Sequence, residues 1–263
     1  MALPAAPAPE GKRMDFEEYR RMRQIEDDYW WYRGFRRIFA SLIDRFGSHQ
    51  AAGRVLDAGC GTGAFLDFME DRYHPRELTG LDYSSLALDY CRQRGFESLV
   101  ECSIDSMPFE DSSMDLITSF DVLCHAWIRD DEVPLKEFCR VLAPGGLLLL
   151  NLPAFMFLFS RHDRAVQNIR RYRKKEVLEK IAGAGLEPLA VTYTNLLLFL
   201  PMAAVKIIRG SGNGAPGEYS SDLFPLPAPL NRALTFLLGL ESGLVGRVAL
   251  PFGTSVTAIA RAL

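Results

Sequence analysis

Three glycines, Gly59, Gly61 and Gly63, alternate along Val55-Leu56-Asp57-Ala58-Gly59-Cys60-Gly61-Thr62-Gly63-Ala64-Phe65-Leu66. The apolar run from Arg54 to Leu56 reads as a buried strand, and Ala64 onward as the start of a helix. A turn without side chains lets backbone N–H groups approach a ligand closely, and the helix N-terminus adds partial positive charge. Open α/β sheets bind nucleotide-like cofactors with this device. Gly59-x-Gly61-x-x-Ala64 also satisfies the looser dinucleotide fingerprint, so the turn alone leaves the cofactor open. Its neighbours narrow the choice. Asp57 would repel a pyrophosphate but can accept hydrogen bonds from a cationic or hydroxyl-bearing cofactor. Asp82 follows a second apolar run, Leu78 to Leu81, and can accept from both hydroxyls of a ribose.

With these residues in place, the chain resembles the class I S-adenosylmethionine-dependent methyltransferases, of the group that includes the ubiquinone-biosynthesis O-methyltransferases. Val55–Leu66, Leu78–Ser84, Met107-Pro108-Phe109, Asp115–His125 and Leu142-Ala143-Pro144-Gly145-Gly146 match in the family's order and spacing. The resemblance implies S-adenosylmethionine as cofactor and S-adenosylhomocysteine as product. It places Asp57, Gly59, Gly61 and Gly63 around the methionine portion, Asp82 at the ribose and Tyr83 beside the adenine. Ser103 and the backbone of Ile104 fall where many members use an Asp for the adenine amino group, with Asp105 as a substitute. Phe120 falls near the transferable methyl group. The aromatic segment Tyr29-Trp30-Trp31-Tyr32 would form a helical lid, with Tyr32 over the cofactor and Arg36 or Arg33 pairing with the methionine carboxylate.

A sulfonium is already an activated leaving group, so the protein's task is alignment and exclusion of water, with a base only where the nucleophile must lose a proton. His125, just past the fourth strand, is one candidate base. His162 is a second, oriented by Asp163, with Tyr172 lining the pocket. The resembled ubiquinone enzymes carry Glu-x-x-Glu-His where this chain has Asp121-x-x-Cys124-His125. Cysteine is a poor ligand for magnesium, so no metal is expected. The expected reaction is O-methylation of a small, hydrophobic acceptor, as in secondary metabolism. N- or C-methylation of a natural product, peptide or lipid-linked sugar, or a silent cofactor-binding protein, is the alternative. The Asn-Pro-Pro-Tyr signature of amino-methylating nucleic-acid enzymes is absent, and no nucleic-acid partner is expected. The Pro-Gly-Gly turn and Asp57 argue against a nicotinamide oxidoreductase.

These residues need an α/β scaffold. The 263 residues are 48% hydrophobic and 24% charged with a net charge of −3, enough for one sizeable core and without a bulk attraction to polyanions. Five scattered cysteines give neither a disulfide framework nor a zinc spacing, which fits a reducing cytoplasm. Strands are expected at 53–58, 78–82, 98–103, 114–120, 145–152, 187–194 and 255–260, with helices at 63–72, 84–94, 131–142 and 174–184. Alternation of this kind predicts a doubly wound, mostly parallel sheet; the resemblance sets it at seven strands with an antiparallel pair at one edge. Residues 1–12 read as a disordered tail, 13–47 as the N-terminal helical lid, and 48–194 with 254–263 as the cofactor-binding core. Residues 195–253 form a helical cap inserted before the last strand, with a helix over 229–248 and a flexible Gly210–Gly217. The apolar segment 195–208 is too short to span a bilayer, and packing on the sheet competes there with a peripheral membrane contact.

Overall fold

Helices α1 (Phe16–Ile25), α2 (Trp30–Phe46) and α3 (Ser48–Ala51) precede β1 (Arg54–Ala58), α4 (Ala64–Tyr73), β2 (Glu77–Asp82) and α5 (Ser85–Gln93). Strands β3 (Leu99–Glu101) and β4 (Met114–Phe120) follow, then α6 (Glu132–Val141), β5 (Leu142–Pro153), α7 (Arg161–Ala165) and α8 (Lys174–Gly183). The chain continues through β6 (Leu186–Thr194), α9 (Leu196–Arg209), α10 (Ala228–Ser242) and β7 (Ser255–Ala262). The structure, a computed structural model, describes residues 14, 16–209 and 226–263. The expected tail at 1–12 and the expected flexible Gly210–Gly217 lie outside the described residues.

The strands form one seven-stranded sheet in the order β3-β2-β1-β4-β5-β7-β6. The first five are parallel, and β7 runs antiparallel to both β5 and β6. This is the doubly wound, mostly parallel sheet that the sequence predicts, with the expected antiparallel pair at one edge. Leu147 to Leu150 form a continuous apolar run because helices cover both sheet faces, and all four are buried. One core layer gathers Leu56, Ile117, Phe138 and Leu148; the opposite layer gathers Phe35, Ile38, Leu116 and Leu149.

Two boundaries differ from expectation by three residues or more, those of β5 and α10. Strand β5 starts at Leu142 rather than 145, because Leu142 pairs with Met114 across a register shift. Gly145, at φ +77°, accommodates the irregularity. Helix α10 stops at Ser242 rather than 248, where Gly243 and Gly246 (φ +79°) break the helical run.

The chain between β6 and β7 returns to brace the N-terminal helices. Asn231 on α10 accepts from the Trp30 N–H (2.8 Å) and donates to the Asp28 carbonyl (2.9 Å), capping α2 from 201 residues away. Glu241 accepts from the Asn195 and Leu196 N–H groups (2.5 and 2.8 Å), satisfying the first turn of α9 with a favourable negative charge. Gly34 is the contact point between α2 and α10: a Cβ there would sit 2.3 Å from Leu238 Cδ2. Gly34→Val is therefore expected to lower stability by about 1–3 kcal/mol through overpacking. Thermal unfolding checks this; an unchanged midpoint would mean the two helices do not press together there.

Candidate active site

Strand β1 pairs with β2 on one side and β4 on the other, so successive connections leave in opposite directions at its C-terminal end. A crevice opens at such a switch point. The glycine turn lines it. The Gly59 and Cys60 N–H groups donate to the Leu81 carbonyl (2.7 and 2.9 Å), tying the turn to β2. Gly59 (φ +93°) and Gly61 (φ +54°) hold left-handed backbone that a side chain would resist. Asp57 is 2% exposed and accepts from Thr118 Oγ1 at 2.7 Å. Burial pushes its carboxyl up to about 7 in spite of that bond. Asp82 accepts from the Gly61 and Ser84 N–H groups, each at 2.9 Å, and burial pushes it up to about 6. Both carboxylates face one cavity of about 970 Å³.

Helices α1 and α2 close a side of that cavity with Met22, Glu26, Trp30, Trp31, Tyr32 and Phe39. Arg94, only 6% exposed, holds α1 there. Its Nη2 donates to Glu26 (2.7 Å) and Asp27 (2.8 Å), its Nη1 to Asp67, and its Nε to the Thr62 carbonyl (2.8 Å). Burial disfavours the guanidinium charge, but the hydrogen bonds Arg94 donates to Glu26 and Asp27 outweigh it and keep Arg94 firmly protonated. At the end of β4, the Phe120 ring stacks on Phe39 at 4.0 Å and meets Phe65 edge-on at 4.7 Å.

A methyltransferase-domain family model matches residues 56–150, the stretch from β1 through the buried Leu147–Leu150 run of β5. A probable S-adenosylmethionine-dependent methyltransferase of Mycolicibacterium smegmatis is 29% identical over 167 residues, 62% of each chain. In this stretch the chain is similar to S-adenosylmethionine-dependent methyltransferases. It spans 62% of the length of that relative. A mouse protein named probable tRNA methyltransferase 9B is 34% identical over 125 residues, 47% of this chain and 25% of that one. In three dimensions, a putative methyltransferase from a Haloferax volcanii complex with the Trm112 methyltransferase activator superposes with a TM-score of 0.60. That pair covers 94% of both chains at 19% identity, a likeness of fold.

The cavity suits S-adenosylmethionine, which is a cation overall. Glu18, Glu26, Asp57, Asp82 and Asp121 all line it. The Glu18 Oε2 atom is buried without a hydrogen-bond partner among the described residues. Of the residues singled out from the sequence, Tyr32, Arg36, Asp57, Gly59, Gly61, Asp82, Tyr83, Ser103, Ile104 and Phe120 line the cavity. Gly63 does not. It precedes α4 at φ +89° with its missing Cβ against Cys91 and Arg94, so its role is helix packing. Arg33 lies outside the cavity near Asp28. Arg36 reaches the cavity, but its Nη2 caps the carbonyls of Glu26 (3.1 Å) and Asp27 (2.7 Å) at the end of α1. Ser103 and Asp105 are bonded to each other, and Asp105 stays off the cavity wall.

The catalytic candidates divide. His125 and His162 both line the cavity, and the Nδ1 of each is buried without a partner among the described residues. Burial pulls His125 down to about 4, so its imidazole is neutral. Asp163 does not orient His162 by any hydrogen bond the structure shows. It caps α7 through Ser160 and takes a two-pronged bond from Arg171 (3.0 and 2.9 Å), with Asn168 adding a third partner. Tyr172 is 1% exposed in the core, donates to the Leu123 carbonyl (3.1 Å), and does not reach the cavity.

Trp127 and Asp121 are among the cavity residues to which the sequence reading gave no place in the cofactor or acceptor site. Trp127 stacks on His125 at 4.1 Å and lies nearly parallel to Tyr83 at 5.9 Å, forming a layered wall. Nothing in its spacing signals this. Asp121 faces the cavity from a left-handed backbone (φ +57°), its carboxylate met by Asn151 Nδ2 at 3.3 and 3.4 Å. Burial pushes Asp121 up to about 7. Cys124 spends its thiol on the Asp121 carbonyl and Asn168. Among the described residues no group of three or more His, Cys, Asp or Glu side chains could hold a metal ion. Nor is any helix among them long and apolar enough to cross a membrane.

Proposed function

We propose that this methyltransferase acts on a small, largely apolar acceptor and methylates an oxygen. The observation that carries this reading is the continuity of one cavity. Its carboxylate-rich end, at Asp57 and Asp82, runs without a partition to an apolar end at Leu158, Phe159, Pro201, Leu230 and Leu234. S-adenosylmethionine, when bound, supplies a methyl group activated by the sulfonium. Asp82 holds the ribose hydroxyls, the Tyr83–Trp127 side receives the adenine, and Asp57 with the Gly59–Gly61 turn receives the methionine portion. The N-terminal helices act as a lid that excludes water. Where the acceptor is a hydroxyl, a histidine takes its proton: His125 or His162, each with a buried Nδ1 able to accept. Burial holds His125 at about 4, which makes it a weak base suited only to a strongly acidic hydroxyl.

A second reading rests on the relatives. One is named for tRNA, and a structural neighbour is named in a complex with Trm112, so an RNA acceptor competes with the small molecule. The expected exclusion of nucleic acid has no support from these comparisons. Calorimetric titration with S-adenosylmethionine, S-adenosylhomocysteine and NAD, followed by an acceptor screen of hydrophobic phenols, lipids and RNA, separates the readings. Binding of both sulfur cofactors and not NAD is expected, with turnover on an apolar small molecule. Turnover on RNA alone would replace the first reading by the second. Activity is also expected to survive prolonged chelation; loss restored by magnesium would overturn the metal-free site.

A further inference from the structure

The segment after β5 brings a basic group to this cavity: Arg161, His162, Arg164 and Arg171 line it, with Asp163 among them. Arg171 is neutralised by Asp163, which it grips at 3.0 and 2.9 Å. Arg161 and Arg164 are exposed at the rim and have no ion-pair partner among the described residues. Between them, His162 points a buried, unpartnered Nδ1 at the same space. Immediately beside this basic group, Leu158, Phe159, Pro201, Leu230 and Leu234 supply an apolar wall. Their chain neighbours Phe157 and Leu200, 56% and 73% exposed, extend apolar surface into solvent. The cofactor has a single carboxylate, too little to occupy both arginines, and a neutral hydrocarbon gives them nothing to bind. Two guanidinium groups beside an oily channel match one ligand chemistry: an anionic head on an apolar chain.

From this we infer that the acceptor end is a subsite for an anionic amphiphile, with its carboxylate or phosphate held by Arg161 and Arg164 and its chain along Leu158, Pro201 and Leu230. The inference rests on the methyltransferase reading and specifies the acceptor class. His162 is placed to hydrogen-bond the head group. The same anion could arrive as a free soluble amphiphile or as a lipid headgroup in a bilayer, and both would meet the same two arginines.

Trp30, Trp31 and Trp127 line the cavity, so intrinsic fluorescence reports occupancy directly. With the cofactor site filled by S-adenosylhomocysteine, the full chain is titrated with decanoate, decyl phosphate, decanol and decyltrimethylammonium. The two anions are expected to bind at least tenfold more tightly than the alcohol, and the cation more weakly still. R161A/R164A is expected to remove about tenfold or more of the anion affinity, R161K/R164K to retain most of it, and both to bind S-adenosylhomocysteine as before. Equal binding of decanol and decanoate, or undiminished anion binding by the alanine pair, would overturn the subsite. Absence of S-adenosylhomocysteine binding would instead count against the methyltransferase reading, and is scored separately from the amphiphile titration. Sedimentation with phosphatidylglycerol but not phosphatidylcholine vesicles would assign the anion to a bilayer; binding of decyl phosphate without sedimentation would assign it to a free molecule.

Discussion

Asp82→Asn is expected to weaken S-adenosylmethionine and S-adenosylhomocysteine binding by about tenfold to a hundredfold, the value of one or two hydrogen bonds to a charged acceptor. The carboxylate has two duties. It accepts from the Gly61 and Ser84 N–H groups, and its remaining lone pairs face the cavity. Asparagine keeps the shape but turns one acceptor into a donor, which must then face either a backbone N–H or the ligand. The same chemistry predicts a pH dependence. Burial holds Asp82 at about 6 and Asp57 at about 7, and a bound cation favours their charged forms. Cofactor binding should therefore release protons near neutrality, and affinity should rise with pH through about 6 to 7 and level off above. For stability the sign is opposite. Both groups have folded values above the ordinary 3.8, so their contribution is complete below that value and is lost as pH rises through 6 to 7. Calorimetry in two buffers of different ionisation enthalpy reads the proton release. A flat affinity from pH 5 to 8, together with an Asn variant as tight as the parent, would refute this account.

Gly59→Ala should do more damage, because it combines two faults. At φ +93° any side chain is strained, and its Cβ would lie 2.2 Å from Val122 Cγ2. Relief requires moving either Val122 or the turn, and moving the turn disturbs the Gly59 and Cys60 bonds to Leu81. We expect cofactor affinity to fall more than a hundredfold and stability to fall by about 2–4 kcal/mol, the sum of backbone strain and overpacking. Gly95 is a matched control: its φ is +97°, yet a Cβ there meets nothing within 4 Å. Gly95→Ala should show the strain alone, with cofactor binding intact. Adding Val122→Ala to Gly59→Ala should recover the packing loss but not the strain, which a double-mutant cycle resolves. Equal behaviour of the Gly59 and Gly95 variants would show that the close approach to Val122 has no consequence.

Much of this was legible in the residues because the signals are local. The Val55–Leu66 turn and Asp82 each follow from a few neighbouring side chains, and the alternation of apolar runs prescribed the sheet around them. Where a residue's role depends on what another segment brings to it, the reading failed. Tyr172 follows two arginines and looked polar, yet it is buried because its hydroxyl finds the Leu123 carbonyl. Asp163 sits beside His162 in the chain, but its partner is Arg171, eight residues on. Gly63 shares the turn's composition and faces α5 instead of the cavity. Asp121 and Trp127 acquire their positions from the backbone turn beyond β4, which no periodicity announces.

The cap that Asn231 places on α2 has a consequence for the order of assembly. As the chain leaves the ribosome, Trp30 and its helix appear early, but the side chain that satisfies the helix start arrives 201 residues later. Strand β7, which lies between β5 and β6, comes later still. Loop-closure entropy grows slowly with length, so the long wait costs little in final stability, but it postpones the closing of the binding cavity until α10 and β7 are made. A nascent chain ending at β6 would carry the glycine turn and Asp82 on an unfinished sheet with an uncapped lid. Ligand-assisted folding of this protein should therefore act late, once α10 and β7 have been made.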